Sequence, residues 1–183
     1  MEVTEDIIRE VKGGNRKITL DLYHYSFNVL MSSAVRYKNH KEDQMEIVNN
    51  AFVKIVSNIS SYKPGTAYFS WIKTIVQREI IDDFRKHKRY NELFKMSDSD
   101  TVQESVVDPE VYESIGSESA MQMLNVLPSA TKLVFNLYAI EGYKSKEIVE
   151  ELNISYETVK WHIKQARKKL KQLIIENKIP LKQ

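Results

Sequence analysis

The segment from Ser155 to Leu173 combines cationic and aromatic side chains in a way that suits contact with DNA. No acidic residue occurs between Lys160 and Lys171, and apolar residues recur at three- and four-residue spacing. This pattern predicts a helix with one buried stripe and a basic remainder, which is suited to a major groove. The candidates for contacts with base edges are Tyr156, Lys160, Trp161, Lys164 and Gln165. The candidates for phosphate contacts are Lys144, Lys146, Arg167 and Lys168.

A shorter helix and a tight turn are predicted to position this basic helix. Ser145 is placed to cap a helix whose apolar face includes Ile148 and Leu152, and Ser155 is placed to cap the basic helix. Asn153, between the two, tolerates the left-handed backbone that a short interhelical turn needs. The arrangement indicates a helix-turn-helix. A basic amphipathic helix can also be a solvated face or a protein-binding surface, and from the helix alone that alternative stays open.

A second group of aromatic and cationic residues surrounds the Pro64-Gly65 turn and continues along a helix predicted from Tyr68 to Lys88. Exposed rings can stack unpaired bases while cations contact the backbone, so this segment is a candidate contact for single-stranded nucleic acid. The alternative is that the rings anchor the turn in the core. The candidates are Tyr62, Lys63, Tyr68, Phe69, Trp71, Lys73, Arg78, Arg85, Lys86, Lys88 and Arg89.

Residues for catalysis or for metal binding are not grouped in the sequence. The 4 His are scattered without metal-ligand spacing, no glycine loop is suited to cradle a phosphate, and 0 Cys excludes disulfides and thiolate zinc sites. We therefore expect no enzyme activity, no metal and no cofactor. The acidic N-terminus has no apolar signal region, and no run approaches the ~18 apolar residues of a membrane span. A cytoplasmic protein without membrane insertion is expected.

Composition and charge patterning divide the chain into two helical blocks. Its 183 residues are 42% hydrophobic and 28% charged with 5 Gly and 4 Pro, and no strand pair is apparent, so we predict an all-α fold. The net charge is only +2, so a nucleic-acid surface requires local segregation of charge. The predicted domains are residues 1–92 and 119–183, and the acidic, serine-rich segment 93–118 is predicted to be a flexible linker.

Helical spacing also predicts the elements of the first block. One helix is expected from Asp6 to Lys12 and another from Ile18 to Tyr37, with Leu20 among the apolar positions of the second. Asp43 is the expected N-cap of a third helix that reaches Ile59.

Three segments resemble the sigma-70 family of bacterial RNA polymerase sigma factors, specifically the small extracytoplasmic-function (group IV) type. EIVNNAFVKI (Glu46–Ile55) resembles the helix that binds the β′ clamp helices of the polymerase. YKPGTAYFSWIKTIVQREIIDDFRKHKR (Tyr62–Arg89) resembles the loop and helix that recognise and melt the −10 element. LPSATKLVFNLYAIEGYKSKEIVEELNISYETVKWHIKQARKKL (Leu127–Leu170) is similar to the −35 domain almost throughout.

The resemblance implies a transcription initiation factor whose partners are core RNA polymerase, through the β′ clamp helices and the β flap, and promoter DNA. It also implies an anti-sigma factor as a partner. The residues it places against the polymerase are Glu46, Asn49, Asn50, Phe52 and Val53. A free-standing helix-turn-helix regulator is the alternative, and it would leave the first block unexplained.

The chain departs from the family pattern at several positions. Asn49-Asn50 stands where the family often has Gln-Glu, and Arg78 where many members have Asn. Trp161 replaces what is usually a small residue, and it could contact a thymine methyl or pack on the preceding helix.

Overall fold

The computed structural model describes residues 1–86 and 123–175, which are helical without any β-strand. The all-α prediction is confirmed. Backbone contacts divide the chain into two units, Met1–Asp83 and Phe84–Gln183, which are described separately below. The predicted linker 93–118 lies outside the described residues. In the described ranges, no helix is both long and apolar enough to cross a membrane.

The first unit contains α1 (Glu5–Lys12), α2 (Arg16–Ala34), α3 (Lys41–Ser57) and most of α4 (Tyr68–Lys86), whose last three residues belong to the second unit, with a 3-10 turn at Ile59–Ser61. α1 ends at Gly13 as predicted. α2 ends before Tyr37, since the Tyr37 amide donates to the Ala34 carbonyl and so tightens the chain into a 3-10 turn. The prediction for Asp43 was wrong: the N-cap is His40, and Asp43 lies in the first turn, where a carboxylate stabilises the helix dipole.

The buried face of α2 differs from the predicted one. Leu20 is 55% exposed, whereas Leu22, Ser26 and Leu30 are fully buried. Because Ser26 is part of the inner stripe, an apolar pattern does not reveal it. Its hydroxyl is satisfied by the Leu22 carbonyl and by the Tyr68 hydroxyl, each at 2.8 Å. The same core also contains aliphatic residues of α3 and α4, among them Ile47, Val48, Ile55, Ile72, Val76 and Ile80.

Ion pairs connect α4 to the elements beside it. Lys38, between α2 and α3, contacts Asp83 with 2.5 Å between Nζ and Oδ2, and both side chains are only 7% exposed. Lys54 of α3 contacts Glu79 at 2.6 Å and Asp82 at 2.9 Å. Although burial opposes it, hydrogen bonds and charge from these two carboxylates raise the pKa of Lys54.

The second unit contains α5 (Ser129–Ala139), α6 (Ser145–Leu152) and α7 (Tyr156–Ile175). One core cluster includes residues that precede α5 as well as residues of α5 and α7, namely Met123, Leu124, Leu127, Phe135, Ala166 and Leu170, with Ile174 packed against it. Ile148 and Leu152 of α6 are fully buried, which confirms the predicted apolar face of that helix.

The helix-turn-helix geometry is confirmed, apart from the first cap. Asn153 has φ 51° and ψ 50°, the left-handed conformation that separates α6 from α7. The Ser155 hydroxyl accepts from the Thr158 amide at 3.0 Å and so caps α7. Ser145, however, is the first residue of α6 and does not cap it. Lys144 occupies the N-cap position, and its amide donates to Glu147 Oε2 at 2.7 Å.

Candidate nucleic-acid interface

α7 separates its apolar residues from its cations, as the sequence pattern predicts. The residues predicted to form its buried stripe are all buried, namely Val159, Ile163, Ala166, Leu170 and Leu173. Thr158 and His162 are also buried on this side. Because α-helical positions advance by roughly 100° per residue, the remaining arc of α7 carries the candidate DNA contacts.

The candidate base contacts differ in exposure along α7. Tyr156 is 44% exposed at the N-terminus of the helix, and the Lys160 ammonium lies 5.8 Å from the centre of its ring. This cation–π contact holds both side chains on the outer face of the first two turns. Lys164 and Gln165, one turn further on, are half-buried.

Trp161 is half-buried, and its indole meets the His162 ring edge-on with 4.8 Å between the ring centres. Part of the indole therefore packs within the unit while the rest stays accessible. His162 is almost completely buried, and its Nδ1 lies 2.9 Å from Thr131 Oγ1 on α5. This polar contact was not predicted from the sequence, because its two residues are 31 positions apart.

The four candidate phosphate contacts, Lys144, Lys146, Arg167 and Lys168, are exposed. Lys144 and Lys146 lie at the start of α6, and the other two lie in the middle of α7. The Arg167 guanidinium is 5.7 Å from the centre of the Tyr138 ring on α5, which restricts its motion. The arrangement places positive charge on both helices of the motif.

The structure corrects the interpretation of two aromatic residues near the Pro64-Gly65 turn. Tyr62 is 5% and Tyr68 6% exposed, so neither ring is available to stack a base. They are core anchors, which was the alternative considered from the sequence. Burial raises the pKa of the Tyr68 hydroxyl to about 12. The Tyr62 hydroxyl donates to the Thr66 carbonyl at 2.7 Å and so closes the loop that contains Gly65, whose φ is +80°.

The accessible rings of this segment are Phe69, which is 41% exposed, and Trp71, which is half-buried. Tyr25 of α2 joins them: its ring centre lies 4.9 Å from that of Phe69 and 5.8 Å from that of Tyr68. Tyr25 was not among the predicted residues because it is distant in sequence from the Pro64-Gly65 turn. The available signal was that the aromatic Tyr25 lies two positions after Tyr23, which has helical spacing with Leu20, so the two rings point to different sides of α2.

The charges of α4 are sorted by side. Its four cations, Lys73, Arg78, Arg85 and Lys86, are all exposed. The acidic residues Glu79 and Asp83 are buried and paired with Lys54 and Lys38. The accessible surface of α4 is consequently more basic than its composition suggests. Lys63 in the preceding loop is also exposed, whereas the candidates Lys88 and Arg89 lie outside the described residues.

The candidate polymerase contacts form one face of α3. Glu46, Asn49, Asn50 and Val53 are exposed at i, i+3, i+4 and i+7, and Val53 is 63% exposed. Phe52 is half-buried, and its ring meets the Tyr23 ring edge-on at 4.9 Å. The Tyr23 hydroxyl donates to Asn49 Oδ1 at 3.2 Å, so α2 helps to orient this face.

An apolar groove of about 610 Å³ lies next to that face. Its lining includes Phe52, Tyr23 and the exposed Leu20. Sequence reasoning missed the groove because it placed Leu20 in the core. Among the described residues, no group of three or more His, Asp or Glu side chains could hold a metal ion.

Family models match two segments of the chain. The family model for sigma-70 region 2 matches residues 22–90, and that for sigma-70, region 4 matches residues 117–170. RNA polymerase sigma factor YlaC of Bacillus subtilis strain 168 is 25% identical over 155 residues, 83% of this chain and 89% of the relative. ECF RNA polymerase sigma factor SigW of the same organism is 24% identical over 181 residues, 90% of this chain and 93% of the relative.

A solved structure, that of the sigma factor RpoE in complex with the anti-sigma factor NepR from Bartonella quintana, aligns with a TM-score of 0.49. It is 20% identical and covers 86% of this chain and 98% of that chain.

The two family matches make this chain, with its basic helix-turn-helix, a DNA-binding protein of the transcription apparatus. The chain belongs to the sigma-70 family of RNA polymerase sigma factors, and relatives such as SigW are of the extracytoplasmic-function type. It therefore binds core RNA polymerase and directs the enzyme to promoters. The free-standing regulator considered from the sequence does not account for the region 2 match.

Proposed function

We propose that α7 reads the −35 element in the major groove. Tyr156, Lys160, Trp161, Lys164 and Gln165 contact base edges, since they occupy the outer arc in the N-terminal half of the helix. Lys144, Lys146, Arg167 and Lys168 contact phosphates and supply affinity that depends on salt but not on sequence.

At the −10 element, the loop before α4 receives an unstacked base of the non-template strand. Phe69, Trp71 and Tyr25 supply the accessible aromatic surface, and stacking on such rings contributes ~1–3 kcal/mol per base. The exposed cations of α4 hold the backbone of the opening duplex. Tyr62 and Tyr68 support the loop from the core and do not touch DNA.

The α3 face docks on the β′ clamp helices of core polymerase, and region 4 contacts the β flap. Exposed Val53 is the apolar centre of the α3 face, surrounded by Glu46, Asn49 and Asn50. The neighbouring groove offers space for apolar side chains of the same partner.

An anti-sigma factor is a further partner. The protein acts in the cytoplasm without catalysis of its own. The acidic segment 93–118 resembles RNA in charge and threads the RNA exit path until the transcript displaces it.

The observation that carries this proposal is the sorting of charge on both units. On α4 the cations are exposed while Glu79 and Asp83 are buried in ion pairs, and on α7 most cations lie outside a buried stripe that is mainly apolar.

Association with core polymerase tests the proposal first. Core enzyme is titrated into fluorescently labelled protein, and runoff transcription is then measured on a promoter library. We expect binding, and transcription that starts only when the protein is present. The transcribed promoters supply the −10 and −35 sequences. DNA binding without any association with core would contradict the proposal.

Val53→Asp tests the docking face. Val53 is 63% exposed, so the change should leave the thermal stability of the protein almost unaltered. Binding to core polymerase would, however, bury the new carboxylate in the interface and so incur its desolvation penalty. We expect core affinity to fall at least tenfold. The matched control is Val126→Asp, at another exposed valine in the second unit, which should retain affinity within about twofold. Equal losses in both variants would remove the assignment of α3.

A further inference from the structure

The recognition helix α7 is held against α5 by apolar contacts and by a buried polar contact between Thr131 and His162. Val159, Ile163 and Ala166 are all buried, and contacts between hydrocarbon surfaces have little directionality. Such contacts decide which side of α7 faces the core, but they restrain its rotation about its own axis only weakly. A hydrogen bond restrains it more strongly, since its energy depends steeply on distance and angle.

The Thr131–His162 contact has the position needed for such a restraint. Thr131 Oγ1 and His162 Nδ1 are 2.9 Å apart, and the residues are 3% and 1% exposed. At this burial, breaking the contact would leave polar atoms without solvent to replace it. His162 lies two residues from both Lys160 and Lys164, which corresponds to roughly 160° around the helix. The hydrogen bond is therefore opposite the base-reading arc.

A small rotation of α7 would matter at its outer face. With side-chain tips ~5–6 Å from the helix axis, a rotation of about 20° moves them by ~2 Å. That displacement exceeds the ~0.5 Å range of good hydrogen-bond lengths, so base-edge contacts would be lost. Phosphate contacts made by long, exposed side chains such as Lys168 would adapt.

We propose that the Thr131–His162 hydrogen bond sets the rotation of α7, which makes Thr131 a positioning residue for −35 recognition although it does not touch DNA. The inference rests on the proposed function of α7. It distinguishes discrimination between sequences, which should depend on the hydrogen bond, from affinity for DNA in general, which should not.

Replacement of Thr131 by valine or serine separates hydrogen bonding from shape. Valine keeps the shape and removes the hydroxyl, whereas serine keeps the hydroxyl. Reconstituted holoenzyme is measured on a promoter selected from the library and on the same promoter with a scrambled −35 element. A good base contact discriminates by roughly 5- to 150-fold. We expect Thr131→Val to lower the ratio of the two affinities about tenfold and Thr131→Ser to keep it within about twofold.

Leu173→Ala is the control for stability. Leu173 is buried three turns beyond His162, so its truncation destabilises the same unit without touching the hydrogen bond. We expect a lower melting temperature and an unchanged discrimination ratio. An equal loss of discrimination in Leu173→Ala would overturn the inference, as would an unchanged ratio in Thr131→Val. If Thr131→Val does not fold, His162→Leu is compared with His162→Asn, which keeps an amide group near the position of Nδ1. A retained ratio in His162→Leu then overturns the inference.

The same measurements distinguish failure of the role proposed for Thr131 from failure of the −35 function proposed for α7. If the unaltered holoenzyme does not distinguish the two promoters, the −35 assignment of α7 is wrong and the inference falls with it. If it distinguishes them and Thr131→Val does so equally, only the inference is wrong.

Discussion

Replacing Asp83 by alanine removes one partner of the buried ion pair with Lys38 and leaves an ammonium group that is only 7% exposed. Breaking a pair at this burial typically costs about 3–5 kcal/mol, because the remaining charge keeps its desolvation penalty. A domain of this size has a stability of ~5–15 kcal/mol, so the loss is a large fraction of the total. At ~4–8 °C per kcal/mol, even a loss of about 3 kcal/mol lowers the melting temperature by roughly 12–24 °C.

Tryptophan fluorescence gives an assay specific to the first unit. The chain has 2 Trp, one in α4 and one in α7, so a Trp161→Phe background leaves Trp71 as the reporter. Thermal unfolding of Asp83→Ala in that background is compared with the parent protein. Arg85→Ala is the control, because Arg85 is exposed on the same helix, and a surface change of this kind is expected to alter stability by less than ~0.5 kcal/mol.

A double replacement tests the physical cause. Lys38→Met should lose as much stability as Asp83→Ala, whereas Lys38→Met combined with Asp83→Leu should recover most of the loss, because neither charge then remains buried. If each single variant loses less than ~1 kcal/mol, the pair behaves like a surface salt bridge and the reasoning from burial is refuted.

Three further predictions concern the second unit. Lys164→Ala should weaken holoenzyme binding to the selected −35 element more than binding to scrambled DNA. Lys168→Ala should weaken binding to both DNAs equally and lower the slope of log affinity against log salt concentration by about one. Filter-binding titrations at several salt concentrations measure this, and equal losses on both DNAs from both changes would contradict the assignment. Asn153→Val should lower the free energy of unfolding of the unit by ~1–2 kcal/mol, because a β-branched residue is strained at φ 51°. Asn153→Gly should change that free energy by less than ~1 kcal/mol. Unfolding by denaturant, followed by Trp161 fluorescence, measures both. Burial lowers the pKa of Lys132 from 10.5 to about 8. Between those pH values the unfolded chain holds a proton that the folded chain has released, so stability should rise with pH from about 8 to 10.5, and Lys132→Met should abolish this slope.

The helix-turn-helix could be predicted from the sequence because its determinants are local. The Ser155 cap, the Asn153 turn and the stripe of α7 each depend on residues within a few positions of one another. The predicted caps Asp43 and Ser145 each lie close in sequence to the residue that occupies the N-cap position, which is His40 in α3 and Lys144 in α6. Several residues near a helix start can cap it, and the backbone selects one of them.

The features that escaped prediction depend on partners far apart in the chain. Burial of Tyr68 requires Ser26 of α2, and the apolar groove requires Leu20 to face outward because a serine-containing stripe faces inward. The exposure of the aromatic candidates for DNA contact could not be predicted from the sequence either, since an aromatic residue next to a turn can lie in the core or on the surface. The segments proposed to contact DNA could therefore be predicted from the sequence, but tertiary structure was needed to tell which aromatic residues are exposed and which are buried.

The inward placement of acids on α4 has a consequence for the first encounter with DNA. A net charge of +2 exerts only a weak pull on a distant polyanion. Because Glu79 and Asp83 are buried and paired with Lys54 and Lys38, the exposed cations of α4 nevertheless form a local positive patch. A localised positive patch attracts the DNA polyanion more strongly than the rest of the unit does, so encounters in which α4 faces the duplex should be favoured. The fraction of collisions that arrive correctly oriented thus depends on where the acids are buried, which the isoelectric point does not reveal.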